Sequence, residues 1–322
     1  MTQQDFPPLD SGWPPPRFLP PPPPRVAADG TQHFEGVTYA TTFGYRPRLL
    51  DVHVPARAVA QGLAPVVLWI HGGGWMDGDR RYPPPTVPAE LLFGTALAAG
   101  LAVVTVDYRH SLEAPFPAQL HDVKAAIRYV RHFAGILGVD AGSLAVWGES
   151  AGGHLAAMAG LSGPGSAGGA HEGDEGVTGE DSSVRAVVDW YGVSDITAAA
   201  RAFPAQLAPA PSGPAGVVDP YTALLGAAPA DRPELARAAS PVSYTQGGGH
   251  PPFLLIHGTS DGLVPFEQSV ALAEGLRESG SPVELVPVEG ADHIFLGAPD
   301  IPALVRRSVD FLADHLMARQ AP

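Results

Sequence analysis

Cysteine is missing from all 322 positions of the chain, which excludes disulfides, thiolate metal centres and cysteine nucleophiles. Positive charge is scarce. Nineteen Lys and Arg stand against thirty-three Asp and Glu, a formal charge of -14 at pH 7, and no stretch gathers the basic residues that a phosphate backbone requires. Nucleic acid is therefore not an expected partner, and the same field disfavours anionic substrates. No window approaches the roughly 18 consecutive apolar residues of a membrane-spanning helix, so no membrane partner is expected. The histidines show neither His-x-His nor His-Glu-x-x-His spacing, and Gly247-Gly248-Gly249 lacks the Lys and Ser or Thr of a phosphate loop; no metal site is expected.

Proline, by contrast, is abundant, and it crowds residues 7 to 24 with the run Pro20 to Pro24. Such a segment favours extended chain and forms neither helix nor central strand. Residues 1–30 are thus expected to be an arm lying on the surface or disordered, ahead of a single domain over 31–322. Met1 to Pro24 is acidic and proline-rich where an export signal would show a basic start and an apolar stretch. Cytoplasmic residence is the default expectation, with secretion open if a leader has been removed.

Past the arm, His33 to Phe43 and Leu49 to Val54 read as the strands of an opening hairpin, with Gly44 near the turn. Val66 to Ile70 and Leu101 to Val106 are short, β-branched apolar runs separated by the helical pattern Glu90 to Ala99, the βαβ signature of a sheet buried on both faces. Gln119 to Ala134 places Leu120, Val123, Ile127, Val130 and Ala134 at helical spacing, with Asp122, Lys124, Arg128 and Arg131 off that stripe, as in an amphipathic helix on one sheet face. Further strands are expected at Leu144 to Trp147, Val184 to Asp189, Pro252 to His257 and Val283 to Val288, with helices at Phe266 to Glu278 and Ala303 to Met317. The fold class is α/β, with a mostly parallel eight-stranded sheet. Residues 161–182, Gly-rich and acidic, read as a flexible surface loop, and residues 196–240, rich in Ala and Pro, as a small cap-like insert.

The chemistry concentrates in four places. Gly148-Glu149-Ser150-Ala151-Gly152 lies between a strand and a small-residue helix, where a strained turn exposes a serine hydroxyl and glycines leave room for close approach. Serine also caps helices well, but His71-Gly72-Gly73-Gly74-Trp75 after Val66 to Ile70 supplies what capping does not explain. Amides of Gly73 and Gly74, with that of Ala151, can converge on an oxygen that gains negative charge. Asp261 and His293 each follow a later strand, so both emerge at the sheet edge that carries Ser150. The expectation is a cofactor-free catalytic set of Ser150, Asp261 and His293 with Gly73, Gly74 and Ala151 as oxyanion donors. Asp292 competes with Asp261, and His154 more weakly with His293. Trp75, Phe116, Trp190, Tyr191 and Phe295 are the candidate walls of an apolar substrate pocket, although Trp190 and Phe295 serve equally well as sheet core.

Taken together, His71-Gly72-Gly73-Gly74-Trp75, Val106-Asp107-Tyr108-Arg109, Phe116-Pro117-Ala118-Gln119, Trp147 to Leu155 and Val188-Asp189-Trp190-Tyr191-Gly192 resemble the α/β-hydrolase esterases related to hormone-sensitive lipase. Within these the chain is most similar to bacterial carboxylesterases and to bifunctional acetylxylan and feruloyl esterases. The resemblance covers residues 34 to 318. It implies the α/β-hydrolase fold, a carboxylesterase without cofactor acting on short-acyl or aryl esters, and the same triad and oxyanion residues. An acylated carbohydrate or aromatic ester is a further substrate class it implies. An aryl formamidase or amidase would use the same groups, and a non-catalytic binding protein would keep the fold. Oligomeric state is not legible.

Overall fold

The structure is a computed structural model that describes residues 16–163, 171–203 and 219–317. Its strands are β1 (Arg25–Val26), β2 (Gln32–Ala40), β3 (Arg48–Val54), β4 (Ala64–Ile70), β5 (Ala102–Val106), β6 (Val139–Glu149), β7 (Val187–Trp190), β8 (Phe253–Gly258) and β9 (Val283–Val288). Its helices are α1 (Ala56–Gln61), α2 (Ala89–Ala98), α3 (Ala118–His132), α4 (Ala134–Leu137), α5 (Ala151–Leu161), α6 (Ile196–Ala202), α7 (Pro220–Leu225), α8 (Pro233–Ala238), α9 (Glu267–Glu278) and α10 (Ile301–Met317). The strands form one sheet in the order β1-β2-β3-β5-β4-β6-β7-β8-β9. From β1 to β5 the pairing is antiparallel, and from β5 across to β9 it is parallel.

Alternation along each parallel strand divides the core in two. Val66, Leu68 and Ile70 of β4 join Val104 and Val106 of β5 and the apolar sides of α3, α5 and α9. Val67 and Trp69 point the other way, with Val103 and Trp147, toward Leu92 and Ala96 of α2 and Val305, Val309 and Leu312 of α10. Strands buried on both faces need apolar residues at both parities, which is why these runs are continuous in the sequence.

The sheet has nine strands where the sequence suggests eight. The extra one is β1, which falls inside the expected arm, pairing Arg25 with His33 and Val26 with Gln32. It begins immediately after Pro24, the point at which backbone N–H donors return to the chain. The preceding residues lie along the body: the Leu19 amide donates to the Thr38 carbonyl at 3.0 Å, and the Thr41 amide to Arg17 at 2.8 Å. Phe18 packs edge-on against Tyr129 and Phe133. Residues 1–15, which hold the first part of the proline segment, lie outside the described residues.

A second departure concerns α3. Asp122, Lys124 and Arg128 are buried rather than solvated, because both sides of the helix are covered. Residues 171–182, expected to be a loose acidic loop, fold over it and supply counter-charges, while residues 164–170 lie outside the described set. Arg109 grips Asp122 through two nitrogens at 2.8 Å and Glu175 at 3.1 Å. Arg48, whose side chain is fully buried, lies 2.8 Å from Glu175 and 3.3 Å from Asp122. Lys124 bonds Glu172 at 2.6 Å, and Arg128 donates to the carbonyls of Val177 and Glu175. Glu172 and Glu175 of the loop thus face the buried Lys124, Arg128, Arg48 and Arg109.

Of the expected insert, α6, α7 and α8 are seen, and residues 204–218 lie outside the described residues. The amide of Phe116 donates to the Leu224 carbonyl at 2.7 Å, and Tyr221 packs on Trp75. Among the described residues no helix is long and apolar enough to cross a membrane.

Breaking the buried network should be costly, since removing one partner leaves uncompensated charge. Asp122→Ala is expected to lower unfolding free energy by about 3 to 5 kcal/mol in urea titration. A loss below about 1 kcal/mol, the scale of a surface pair, would contradict this account of the buried network.

Candidate active site

Ser150 stands where β6 gives way to α5, with φ 53° and ψ -118°. A non-glycine residue in this region costs roughly 1 to 3 kcal/mol and persists where its surroundings leave no alternative. Those surroundings are visible. The Ser150 amide donates to the Trp190 carbonyl at 2.8 Å. A Cβ on Gly148 would lie 2.1 Å from the Gly152 carbonyl oxygen, and one on Gly152 2.0 Å from that of Ile70. The two glycines flanking the serine are therefore required by contact between backbones, and the turn is clamped between β4 and α5.

The three side chains singled out in the sequence meet at the carboxyl ends of β6, β8 and β9. His293 Nε2 is 3.0 Å from Ser150 Oγ, and Nδ1 is 2.7 Å from Asp261 Oδ2. A ring nitrogen facing a carboxylate carries the proton, so the other nitrogen presents its lone pair to the hydroxyl. Asp261 Oδ1 accepts from the amides of Leu263 and Val264 at 2.9 and 2.8 Å. Burial alone would raise the pKa of this carboxyl. Hydrogen bonds from His257, His293 and the Val264 backbone outweigh it and hold the group well below the usual carboxylate range. The arrangement can take a proton from an alcohol and stabilise the resulting imidazolium.

Asp292, the competing acid, is occupied elsewhere: its Oδ1 accepts from the amides of His293 and Gly262, fastening the two loops together. His154 is also committed. Its Nδ1 accepts from Trp75 Nε1 at 3.1 Å and its Nε2 donates to the Ala239 carbonyl at 2.7 Å; burial lowers its pKa to about 4. His257, which sequence reasoning left as a strand-end residue, lies 3.3 Å from Asp261 Oδ2. Its Nε2 is 2.9 Å from the Val264 carbonyl and its Nδ1 2.7 Å from Ser269 Oγ. Asp261 is thus bracketed by two imidazoles. The pattern His257-Gly258-x-x-Asp261 carries that signal only once the turn after β8 is known to fold back.

The loop after β4 disposes of its polar groups in an orderly way. The His71 carbonyl accepts from Tyr108 Oη at 2.9 Å, the Gly72 carbonyl faces His71 Nδ1 at 2.8 Å, and the Gly73 carbonyl takes the amides of Met76 and Asp77. The Gly72 amide donates to Glu149 Oε1 at 2.7 Å. The amides of Gly73 and Gly74 are left without a protein acceptor among the described residues. Ala151 is the first residue of α5, so its amide has no acceptor within the helix. Gly73 and Gly74, at φ 101° and 60°, line the same cleft of about 480 Å³ as Ser150 and His293.

That cleft is not walled by the expected aromatics. Trp75, Phe116, Trp190, Tyr191 and Phe295 are all at most 3% exposed, and none lines it. Trp190 packs edge-on against Trp69 and Trp147 and donates to Ser308 Oγ. Phe295 lies against Trp190 and Tyr191, while Tyr191 meets the His293 ring edge-on with centroids 4.9 Å apart. Trp75 is held by His154 and Tyr221, and Phe116 by His171. These rings support the site from beneath, because large apolar side chains next to strand ends gain most by burial. The residues lining the cleft include Tyr82, Pro83, Pro84, Pro85, Leu263 and Ile294, with His71, Asp77 and Glu149. The signal for them is the proline run a few residues past the glycine turn.

Asp261→Asn is expected to lower kcat by roughly 10^3 to 10^4, by favouring the wrong imidazole tautomer. The same change tests linkage. A carboxyl whose folded pKa lies below its unfolded value, about 3.9, contributes stability that is fully present above the unfolded pKa and lost as pH falls toward the folded one. The stability gap between wild type and variant should therefore shrink below about pH 4; a gap that widens on acidification would refute the assignment.

The BD-FAE family model matches residues 50–276. Esterase LipQ of Mycobacterium tuberculosis (strain ATCC 25618 / H37Rv) is 32% identical over 266 residues, covering 82% of this chain and 57% of LipQ. The chain spans about half the length of the curated relatives it matches. Among solved structures, a truncated form of a carbohydrate esterase from gut microbiota is similar with TM-score 0.73 at 28% identity, over 91% of this chain and 99% of that one. A bifunctional GH43-CE protein of Bacteroides eggerthii is similar with TM-score 0.72 at 30% identity, over 88% and 38%. The chain belongs to the BD-FAE family and has the α/β-hydrolase fold of the esterases related to it.

Proposed function

We propose that the protein is a serine carboxylesterase that hydrolyses short-acyl or aryl carboxylic esters through an acyl-enzyme on Ser150. The observation that carries this reading is the continuous chain of contacts from Asp261 Oδ2 through His293 to Ser150 Oγ, at 2.7 and 3.0 Å. His293 takes the serine proton as Oγ attacks the ester carbonyl, and the amides of Gly73, Gly74 and Ala151 receive the oxyanion. The imidazolium then returns the proton to the departing alcohol, and water repeats the sequence to release the acid. Each oxyanion donor contributes about 3 to 4 kcal/mol in sites of this kind. The residues lining the cleft include no Lys or Arg, which favours an uncharged ester over an anionic one.

An acylated carbohydrate is a second substrate reading, supported by the extent of the similarity to the gut carbohydrate esterase. A panel of p-nitrophenyl esters, acetylated xylan and methyl ferulate separates the two. Ser150→Ala is expected to abolish nearly all turnover of p-nitrophenyl acetate while the far-ultraviolet circular dichroism stays unchanged; a variant that keeps the wild-type rate would remove the nucleophile assignment.

A further inference from the structure

Two side-chain links join the nucleophile segment to the glycine loop. His154 holds Trp75 at the far end of the loop. Glu149 holds Gly72 at the near end, one residue before the first free amide. Strand pairing explains the second link: Ile70 of β4 lies opposite Gly148 of β6 in parallel register, so the two loops leave the sheet side by side. The Glu149 side chain then crosses from one to the other. It is 6% exposed and fills the space above Gly72, where an added Cβ would lie 2.3 Å from Oε1 and 2.6 Å from Cδ. A residue with a side chain at position 72 would push this carboxyl out of place.

Given Ser150 as the nucleophile, we propose that Glu149 is a positioning residue. By accepting the Gly72 N–H it sets the separation between Ser150 Oγ and the amides of Gly73 and Gly74, and it acts as a hydrogen-bond acceptor rather than as a charge. Every backbone carbonyl from His71 to Gly73 is fixed by a partner within the loop or from Tyr108. Glu149 is the link that refers the near end of this internally rigid turn to the serine, as His154 does the far end. A full negative charge so close to a developing oxyanion would oppose the reaction. The environment of the carboxyl agrees: burial raises its pKa, with His293, the Gly72 amide and Tyr191 offsetting the rise in part.

The test uses two substitutions in the full chain that preserve volume. Glu149→Gln keeps an oxygen acceptor for the Gly72 amide and removes the charge. Glu149→Met fills similar space without an oxygen. The readouts are kcat and KM for p-nitrophenyl acetate and the affinity for an aryl trifluoromethyl ketone, which forms a tetrahedral adduct. Misplacing oxyanion donors by about 1 Å should cost up to about 100-fold. The expected result for Glu149→Met is a kcat lowered about 10- to 100-fold, KM within about twofold, and ketone affinity reduced in parallel with kcat. Glu149→Gln is expected to stay within about threefold of wild type on all three. Equal losses in both variants would overturn the proposal in favour of a role for the charge, and so would a Met variant with wild-type kcat. Fluorophosphonate labelling of Ser150 in the wild-type chain controls the underlying reading separately. Its absence would sink the esterase mechanism, whereas labelling together with either overturning result would remove the role of Glu149 alone.

Discussion

The site depends on close backbone packing where β4, β6 and α5 converge. Ser150 can hold φ near 53° only because Gly148 and Gly152 let strand, turn and helix approach more closely than any Cβ permits. The strain in that turn, of order 1 to 3 kcal/mol, is held by the two buried apolar layers on either side of the sheet. Parallel pairing does the rest. Loops leaving the carboxyl ends of β4, β6, β8 and β9 share one rim, so residues more than a hundred positions apart come within hydrogen-bond distance.

Several polar groups at this rim are committed to partners within it. Asp292 spends its carboxyl on two amides, His154 uses both ring nitrogens, and Tyr108 fixes the His71 carbonyl. The amides of Gly73 and Gly74 have no protein acceptor among the described residues, and both glycines line the cleft. A preorganised site of this kind avoids the reorganisation that water would need to meet a developing charge. The aromatic residues beneath it, Trp190, Tyr191 and Phe295, contribute packing, and Tyr191 meets the His293 ring edge-on.

Much of this was legible in the sequence because it rests on local rules. β-branched runs locate the parallel strands, the glycine pairs locate the strained turns, and placement just past a strand locates Asp261 and His293. The rest depends on tertiary context. Trp190 and Phe295 read equally as wall or core, since hydrophobicity does not say which side of a strand end is solvent. Asp122 and Arg128 sit at polar positions of α3, and their partners in the interior, Arg48 and Arg109 for Asp122 and Glu172 for Arg128, come from other parts of the chain. No spacing rule connects those positions. The short strand β1 escaped for a local reason, since two residues beside a proline run carry no alternation.

The central claim is that the oxygen gaining charge in the reaction lies against the amides of the glycine turn while Ser150 holds the carbonyl carbon. A crystal structure of the protein inactivated by a small fluorophosphonate tests it directly. The account predicts phosphorus bonded to Ser150 Oγ, with the phosphoryl oxygen about 2.7 to 3.1 Å from the amide nitrogens of Gly73, Gly74 and Ala151. An adduct on another residue, or a phosphoryl oxygen directed into solvent away from those amides, would contradict it.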